Sequence, residues 1–211
     1  MKNKKGQKGF TLIELLVVIA IIAILAVVVI LTLNPAELLR QARDSNRVSD
    51  FATLKSALSL YATDVSTTTA MFGASGQGGA GDGTYALFTA SAAALGTTST
   101  YNSTNTAVSW GFLGAEIAIA TNTSRSVGGT GWIPVNLNAI SSGAPIATLP
   151  VDPITNSTNT TYVYAASSTV FKLAAHMESL KYSTNGSGDV ETGDGGNTVN
   201  AYEQGTALTV L

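Results

Sequence analysis

The chain has 211 residues, no cysteine, a charged fraction of 11% and a formal net charge of -2. The absence of cysteine excludes disulfide bonds, so the folded part is expected to be held by its core or by a metal. Four of the 11 basic residues precede position 9, and the acidic excess that remains gives nucleic-acid binding no support. Abundant Gly, Ser, Thr and Asn are typical of an exported, surface-exposed domain and not of a cytosolic enzyme.

The first predicted element is an apolar helix near the N-terminus. Every residue from 15 to 31 is apolar, which is long enough for a helix to cross the hydrocarbon core of a bilayer. This run follows Gly9 and a basic prefix, whereas a secretory signal carries its small-residue cleavage site after the apolar region. The polar residues between positions 10 and 33 are Thr11, Glu14 and Thr32.

Glu14 is the only ionisable residue between positions 10 and 33. A charge at the bilayer centre costs roughly 2.5–3.5 kcal/mol on insertion scales and less near a helix end, so this carboxylate is expected to have a partner. The alternative is that Glu14 snorkels to the lipid headgroups, because it lies near the helix start.

The stretch KGFTLIELLVVIAIIAILA, residues 8–26, resembles the N-terminal signature of type IV pilins and type II secretion pseudopilins. The resemblance implies a prepilin leader at residues 1–9, a cut between Gly9 and Phe10, N-methylation of Phe10, and an assembly role for Glu14. It also implies partners: a prepilin peptidase and methyltransferase, an inner-membrane assembly platform, minor pilins, and further copies of the chain in a helical filament. The implied location is the cytoplasmic membrane, crossed once with the C-terminal domain outside, and later an extracytoplasmic or cell-surface filament.

Electrostatics gives Glu14 a role in such a filament. Cleavage leaves an α-ammonium on Phe10, and in a bundle of identical apolar helices a carboxylate on a neighbouring chain is the charge available to meet it. An unpaired ion in a low-dielectric surrounding is costly, so the stagger that pairs Phe10 with a neighbour's Glu14 is favoured. Methylation keeps the positive charge of the amine. The pair is therefore expected to set the register of the subunits.

The membrane-spanning or filament-core helix at residues 10–33 is followed by a predicted amphipathic helix at residues 34–64. Pro35 lacks an amide hydrogen and Asn34 is a candidate N-cap, so a bend or short break is expected between the two. Spacings of three and four residues then place an apolar stripe on one face, which predicts packing against a sheet. The stripe residues are Val48, Phe51, Leu54, Leu58 and Tyr61.

Three arginines, Arg40, Arg43 and Arg47, lie just beyond the apolar helix. Outside the membrane, a basic cluster is attracted to headgroups less than it would be on the cytoplasmic side. The favoured expectation is a solvated helix face, or contacts with Asp44 and Asp50 of neighbouring subunits.

Residues 65–211 are predicted to form an exported globular domain. Residues 65–109 are rich in Gly, Ser, Thr and Ala, which indicates a long loop with a short helix at residues 85–95. Residues 161–178 predict a β-hairpin with one face toward the helix and Lys172, Ala174 and His176 facing outward. A weaker strand is expected at residues 131–137. The predicted fold is α+β: a long, bent N-terminal helix packed on a small antiparallel β-sheet, as the resemblance to pilins also implies.

The sequence predicts no enzymatic activity. His176 is the only histidine, and no Ser-His-Asp order, glycine-rich phosphate loop or metal-binding helix motif surrounds it. The stretch NGSGDVETGDGGN, residues 185–197, offers oxygen ligands of the kind that Ca²⁺ takes in flexible loops. The resemblance to major pseudopilins adds support for a calcium site there, but the spacing does not match the EF-hand template, and an acidic, Gly-rich loop is often only solvated. The candidate ligands are Asp189, Glu191, Asp194 and Asn197.

Two classes of function are compatible with these features. In the first, the chain is a structural subunit of a type IV pilus or a type II secretion pseudopilus, and the sequence does not separate these two filaments. In the second, the same helix is a permanent signal anchor for a surface binding or enzymatic domain that does not polymerise. The second class predicts an uncut leader and no role for Glu14.

Overall fold

A computed structural model describes residues 9–65, 72, 86–89, 99–101, 117–121, 124–154, 161–166 and 170–208. The chain divides into two compact units, Met1–Leu39 and Arg40–Leu211. Helix α1 spans Leu12–Leu33 and helix α2 spans Pro35–Asp64. The strands are β1 Ala86–Thr89, β2 Ser99–Tyr101, β3 Ile117–Thr121, β4 Val163–Ala166, β5 Phe171–Ala175 and β6 Tyr202–Gly205.

The predicted break between the two helices is confirmed at Asn34. This residue has a left-handed backbone with a φ of 40°, a conformation that Asn adopts more readily than most other residues. Pro35 begins α2, where its missing N–H leaves no helical bond unmade. The Asn34 carbonyl accepts hydrogen bonds from the backbone N–H of Glu37 at 3.0 Å and of Leu38 at 3.3 Å. Asn34 therefore ends one helix while its carbonyl starts the hydrogen bonding of the next.

The described strands form one sheet in the order β2-β3-β1-β4-β5-β6. β1 and β3 are parallel, and the other neighbouring strands are antiparallel. The predicted hairpin is confirmed as β4 and β5, in which Tyr164 lies opposite Leu173. β6 pairs with β5, so β4, β5 and β6 form a three-stranded antiparallel part of this sheet, and the predicted α+β class is confirmed.

The apolar stripe of α2 lies in the core of the second unit, as predicted. Phe51, Leu54 and Leu58 are fully buried. The Phe51 ring packs edge-on against Tyr162 with centroids 5.0 Å apart, and it stacks on Tyr202 at 5.8 Å. Full burial of one such side chain contributes roughly 1.5–3 kcal/mol, so this stripe is a main attachment of the helix to the sheet.

Two predicted elements are wrong. Residues 86–89, within the predicted helix at 85–95, form strand β1, because pairing with β3 and β4 outweighs local propensity. Residues 131–137 form no strand. Trp132 is buried there, its Nε1 donates to the Pro150 carbonyl at 3.0 Å, and its backbone N–H donates to the Ser124 carbonyl at 2.9 Å, so this segment is held without a strand. Apart from residues 72, 86–89 and 99–101, the predicted loop at residues 66–109 lies outside the described residues.

The predicted outward face of β5 is also wrong. Lys172 and Ala174 are 2% and 1% exposed, so both faces of this strand are covered at these positions. Lys172 is covered by the C-terminal segment, residues 191–208, because the Lys172 ammonium donates to Asn197 Oδ1 and to the Leu208 carbonyl. His176, just past the strand, keeps part of its side chain exposed.

Candidate functional site

Glu14 lies in the first turn of α1 and closes its N-terminus. Thr11 is the N-cap, and its Oγ1 accepts the Glu14 backbone N–H at 3.3 Å. Glu14 Oε2 in return accepts the Thr11 backbone N–H at 2.8 Å and the Thr11 hydroxyl at 2.7 Å. This reciprocal arrangement is a capping box, which satisfies N–H groups that the first helical turn leaves unpaired. The predicted assembly residue therefore also has a local role in its own helix.

The predicted cleavage position lies ahead of the helix. Gly9 and Phe10 are exposed and are not helical, and the Phe10 side chain is 87% exposed. A Cβ placed on Gly9 would have no atom within 4 Å. Exposed, non-helical chain is where proteases cut folded proteins most readily.

Helix α1 is apolar on all sides, and its described side chains are exposed. A helix that is apolar all round is stable when it is surrounded by lipid or by other apolar helices. Among the described residues, Leu12–Ile30 is the one helical segment that is long and apolar enough to cross a membrane. Glu14 and its Thr11 cap lie at the N-terminal end of this segment.

A buried ion cluster organises the second unit around Arg47. The guanidinium is fully buried, and it donates to both oxygens of Asp152, from Nε at 2.7 Å and from Nη2 at 2.9 Å. Arg47 Nη1 donates to Asp44 at 2.6 Å, and Nη2 also pairs with Glu178. This position corrects the expectation of a solvated face for Arg47.

The cluster connects α2 to two distant segments. Asp44 accepts the backbone N–H of Ser179 at 2.8 Å, and Arg43 pairs with Glu178 at 2.6 Å. Burial alone would raise the pKa of Glu178, but hydrogen bonds from Arg43 and Arg47 hold it below the ordinary value of 4.5. Glu178 is therefore ionised at neutral pH, and three carboxylates surround one buried guanidinium.

The spacing of charged residues in α2 indicates part of this cluster. Asp44 and Arg47 precede Phe51 by seven and four residues, which are helical spacings, so both belong to the apolar stripe of α2. Two charges of opposite sign on a core-facing stripe predict a buried ion pair. Asp152 and Glu178 had no comparable signal, because they come from distant parts of the chain.

The four candidate calcium ligands each bind donors of the chain itself. Asp189 accepts the backbone N–H groups of Asn185, Glu191 and Thr192, and Asp194 accepts those of Gly196 and Glu203. Glu191 is buried and accepts the N–H of Met177 at 2.9 Å, and Asn197 Oδ1 accepts Lys172 Nζ at 2.6 Å. No three His, Cys, Asp or Glu side chains are grouped to hold a metal in the described part of the chain. The structure thus does not bring the four into one ligand set, and calcium binding stays a prediction.

His176 joins the end of β5 to the C-terminal segment. Its Nδ1 lies 2.7 Å from the Asn200 carbonyl, to which it donates, and 3.3 Å from Glu191 Oε1. The neighbouring Glu191 carboxylate raises the pKa of His176 above its ordinary 6.5. Burial alone would raise the pKa of Glu191, but His176 and backbone donors hold it below its ordinary 4.5.

We expect His176→Gln to lower the melting temperature more at about pH 5.5 than at about pH 8. A raised histidine pKa adds stability that is fully present below the ordinary value of 6.5 and is lost as the pH rises through the folded-state value. The lowered pKa of Glu191 adds stability that is present above 4.5 and is lost as the pH falls further. Thermal unfolding of the variant and the wild type at both pH values measures the difference, and an equal loss at both would contradict it.

Comparisons with known proteins bear on the N-terminal segment alone. Neither the curated proteins nor the solved structures contain a match to the chain. Residues 4–30 match the family model of the prokaryotic N-terminal methylation motif, and this range contains Gly9, Phe10 and Glu14. With its exposed apolar helix and this motif, the chain carries the signature of type IV pilins and pseudopilins.

Proposed function

We propose that this protein is a structural subunit of a type IV pilus-like or type II secretion pseudopilus filament. The observation that carries the proposal is that the methylation motif overlaps α1, a 22-residue apolar helix whose described side chains are exposed. Such a helix needs an apolar surrounding, and the second unit has a core of its own. Lipid supplies the surrounding before assembly, and neighbouring copies of α1 supply it in the filament.

Processing takes place at the junction between Gly9 and Phe10. The lysines of residues 1–9 favour a cytoplasmic leader, so the second unit is placed outside the cytoplasmic membrane. A prepilin peptidase removes residues 1–9 and the new N-terminus at Phe10 is methylated. An inner-membrane assembly platform and minor pilins then direct incorporation into the filament.

Extraction of α1 from the membrane is energetically feasible. Lipid tails are as apolar as leucine side chains, so helix-on-helix packing replaces helix-on-lipid packing with little change in hydrophobic burial. The charge of Glu14 is then met by the α-ammonium of a neighbour's Phe10. This ion pair selects the stagger between subunits, because any other stagger leaves two charges unmatched in a medium of low dielectric constant.

Mass spectrometry of the N-terminus in the native host tests the processing step. We expect the wild-type chain to begin at N-methylated Phe10 and Gly9→Val to keep Met1, because a branched side chain at the cut obstructs the peptidase. Gly6→Val is the matched control within the leader and is expected to be processed normally. A wild-type chain that keeps Met1 would contradict the proposal and would indicate a permanent signal anchor.

The two kinds of filament differ in what is lost when the subunit is deleted. A pilus subunit is required for fibres that can be sheared from the cell surface. A pseudopilus subunit is required for release of folded proteins into the medium, so its deletion leaves those proteins in the periplasm. Electron microscopy of sheared material and analysis of the culture supernatant separate the two.

A further inference from the structure

Lys172 lies at the centre of a polar site beneath the C-terminal segment. Its side chain is 2% exposed, and its Nζ donates to Asn197 Oδ1 at 2.6 Å and to the Leu208 carbonyl at 3.0 Å. The third contact is an ion pair of 2.5 Å with Glu203 Oε1, whose side chain is fully buried. A lysine amine, a side-chain amide and a carboxylate thus meet at one point.

The two strands and the chain above them hold this arrangement in place. Lys172 and Glu203 are diagonal neighbours on one face of the β5–β6 pair, because Lys172 lies opposite Gly205 and Glu203 opposite Ala174. Glu203 Oε2 accepts the Thr198 N–H at 3.3 Å, and the other carboxylate oxygen, Oε1, is the one that lies next to Lys172 Nζ. A Cβ on Gly196 would lie 1.5 Å from Glu203 Oε2, so the backbone next to Asn197 passes directly over the carboxylate.

We propose that Lys172 and Asn197 form an intramolecular isopeptide bond, with Glu203 as the proton carrier. The reacting carbon, Asn197 Cγ, is one bond from the oxygen that Lys172 Nζ already contacts. Nucleophile and electrophile are therefore held together by the fold, which replaces a bimolecular encounter by an intramolecular one. A carboxylate in contact with the amine supplies the general base.

The step balances without an oxidant, a reductant or a further reactant. Glu203 takes one proton from the Lys172 ammonium, and the neutral amine attacks Asn197 Cγ. The new C–N bond forms, and the bond from Cγ to the amide nitrogen breaks. Of the three ammonium protons, one remains on the isopeptide nitrogen and two leave with the Asn197 nitrogen through Glu203. Ammonium is released, and the Glu203 carboxylate is regenerated.

The surroundings favour the reactive form of the amine. Burial lowers the pKa of Lys172, and this effect outweighs the contact with Glu203, which would raise the pKa. Lysines that act as nucleophiles are commonly activated by desolvation of this kind. Asn197 lies at the surface, so the released ammonium has a direct path to solvent. The bond would tie β5 to the C-terminal segment in a chain that has no cysteine for a disulfide.

Tryptic mapping of the denatured full chain tests the proposal independently of N-terminal processing. Cleavage sites follow Arg125, Lys172 and Lys181, so an unlinked chain gives the peptides 126–172, 173–181 and 182–211. Trypsin does not cut after an acylated lysine. We therefore expect one branched product, in which peptide 126–181 is joined to peptide 182–211. Its mass is the sum of the masses of these two peptides minus the mass of one ammonia.

Three variants assign the roles of the residues. Asn197→Ala, at an exposed position, removes the electrophile and is expected to give the three separate peptides. Glu203→Gln keeps the shape of the side chain but removes the base, and is expected to leave most of the chain unlinked. Asn200→Ala removes a neighbouring amide and is expected to keep the branched product. Separate peptides from the wild type, or a link that survives Asn197→Ala, would overturn the proposal.

Discussion

Replacing Arg47 by methionine is expected to unfold or severely destabilise the second unit, residues 40–211. The substitution leaves the carboxylates of Asp44, Asp152 and Glu178 without the buried cation that they share. Removing one partner of a buried ion pair costs about 3–5 kcal/mol, which is a large fraction of the roughly 5–15 kcal/mol that stabilises a typical domain. Near-ultraviolet circular dichroism and thermal unfolding of the full chain in detergent measure the loss.

Matched variants separate the charge of Arg47 from its geometry. Arg40→Met, at an exposed position of the same helix, is expected to change the free energy of unfolding by no more than about 0.5 kcal/mol. Arg47→Lys keeps the charge but cannot form the two parallel bonds to Asp152, so an intermediate loss is expected. Adding Asp152→Asn to Arg47→Met should recover part of the stability, because one uncompensated charge is removed. An Arg47→Met variant that melts like the wild type would contradict a stabilising role for the cluster.

The N-terminal part of the fold could be predicted from the sequence because its physics is local. An uninterrupted apolar run specifies α1, and Asn34 with Pro35 specifies where one helix ends and the next begins. The stripe from Phe51 to Tyr61 follows from helical spacing and identifies the buried face of α2. Each of these inferences needs only neighbours within a few turns of helix.

The polar interior of the second unit could not be predicted in the same way. Charges on helices are usually exposed, which favours a solvated face for Arg47, although its spacing to Phe51 puts it on the buried stripe. Its partners Asp152 and Glu178 are more than 100 residues away, and no local pattern indicates them. A buried arginine is stabilised only when such distant carboxylates arrive together, which is a property of the tertiary fold.

The burial of both faces of β5 also could not be predicted from the local sequence. Alternation between Lys172 and Leu173 predicts a sheet with one face toward solvent. Side chains of β5 do alternate between the two faces of the sheet. The face that carries Lys172 is nevertheless buried, because Asn197, Leu208 and Glu203 of the C-terminal segment contact the lysine. Strand β6 itself is only four residues long, and its sequence, YEQG, has no apolar alternation to reveal it.

Replacing Glu14 by glutamine is expected to abolish filaments while leaving α1 capped. The glutamine oxygen can still accept the Thr11 N–H and hydroxyl, because Gln serves in capping boxes as Glu does. It has no charge to meet the α-ammonium of a neighbour's Phe10, which would then be unpaired in an apolar bundle. The desolvation penalty of an unpaired ion is several kcal/mol, and it recurs at every subunit of a filament. Electron microscopy of sheared material from the native host measures the loss.

Thr11→Ala is the matched control, because it removes the cap and keeps the carboxylate. Loss of an N-cap side chain costs about 0.5–2 kcal/mol within one helix, so filaments are expected to persist. Both Thr11 bonds reach Glu14 Oε2, and no described residue donates to Oε1. The second oxygen can therefore accept a neighbour's ammonium while the cap stays closed, and the two roles of Glu14 need not compete. Filaments that survive Glu14→Gln but are lost in Thr11→Ala would reduce the role of Glu14 to helix capping and exclude the register pairing.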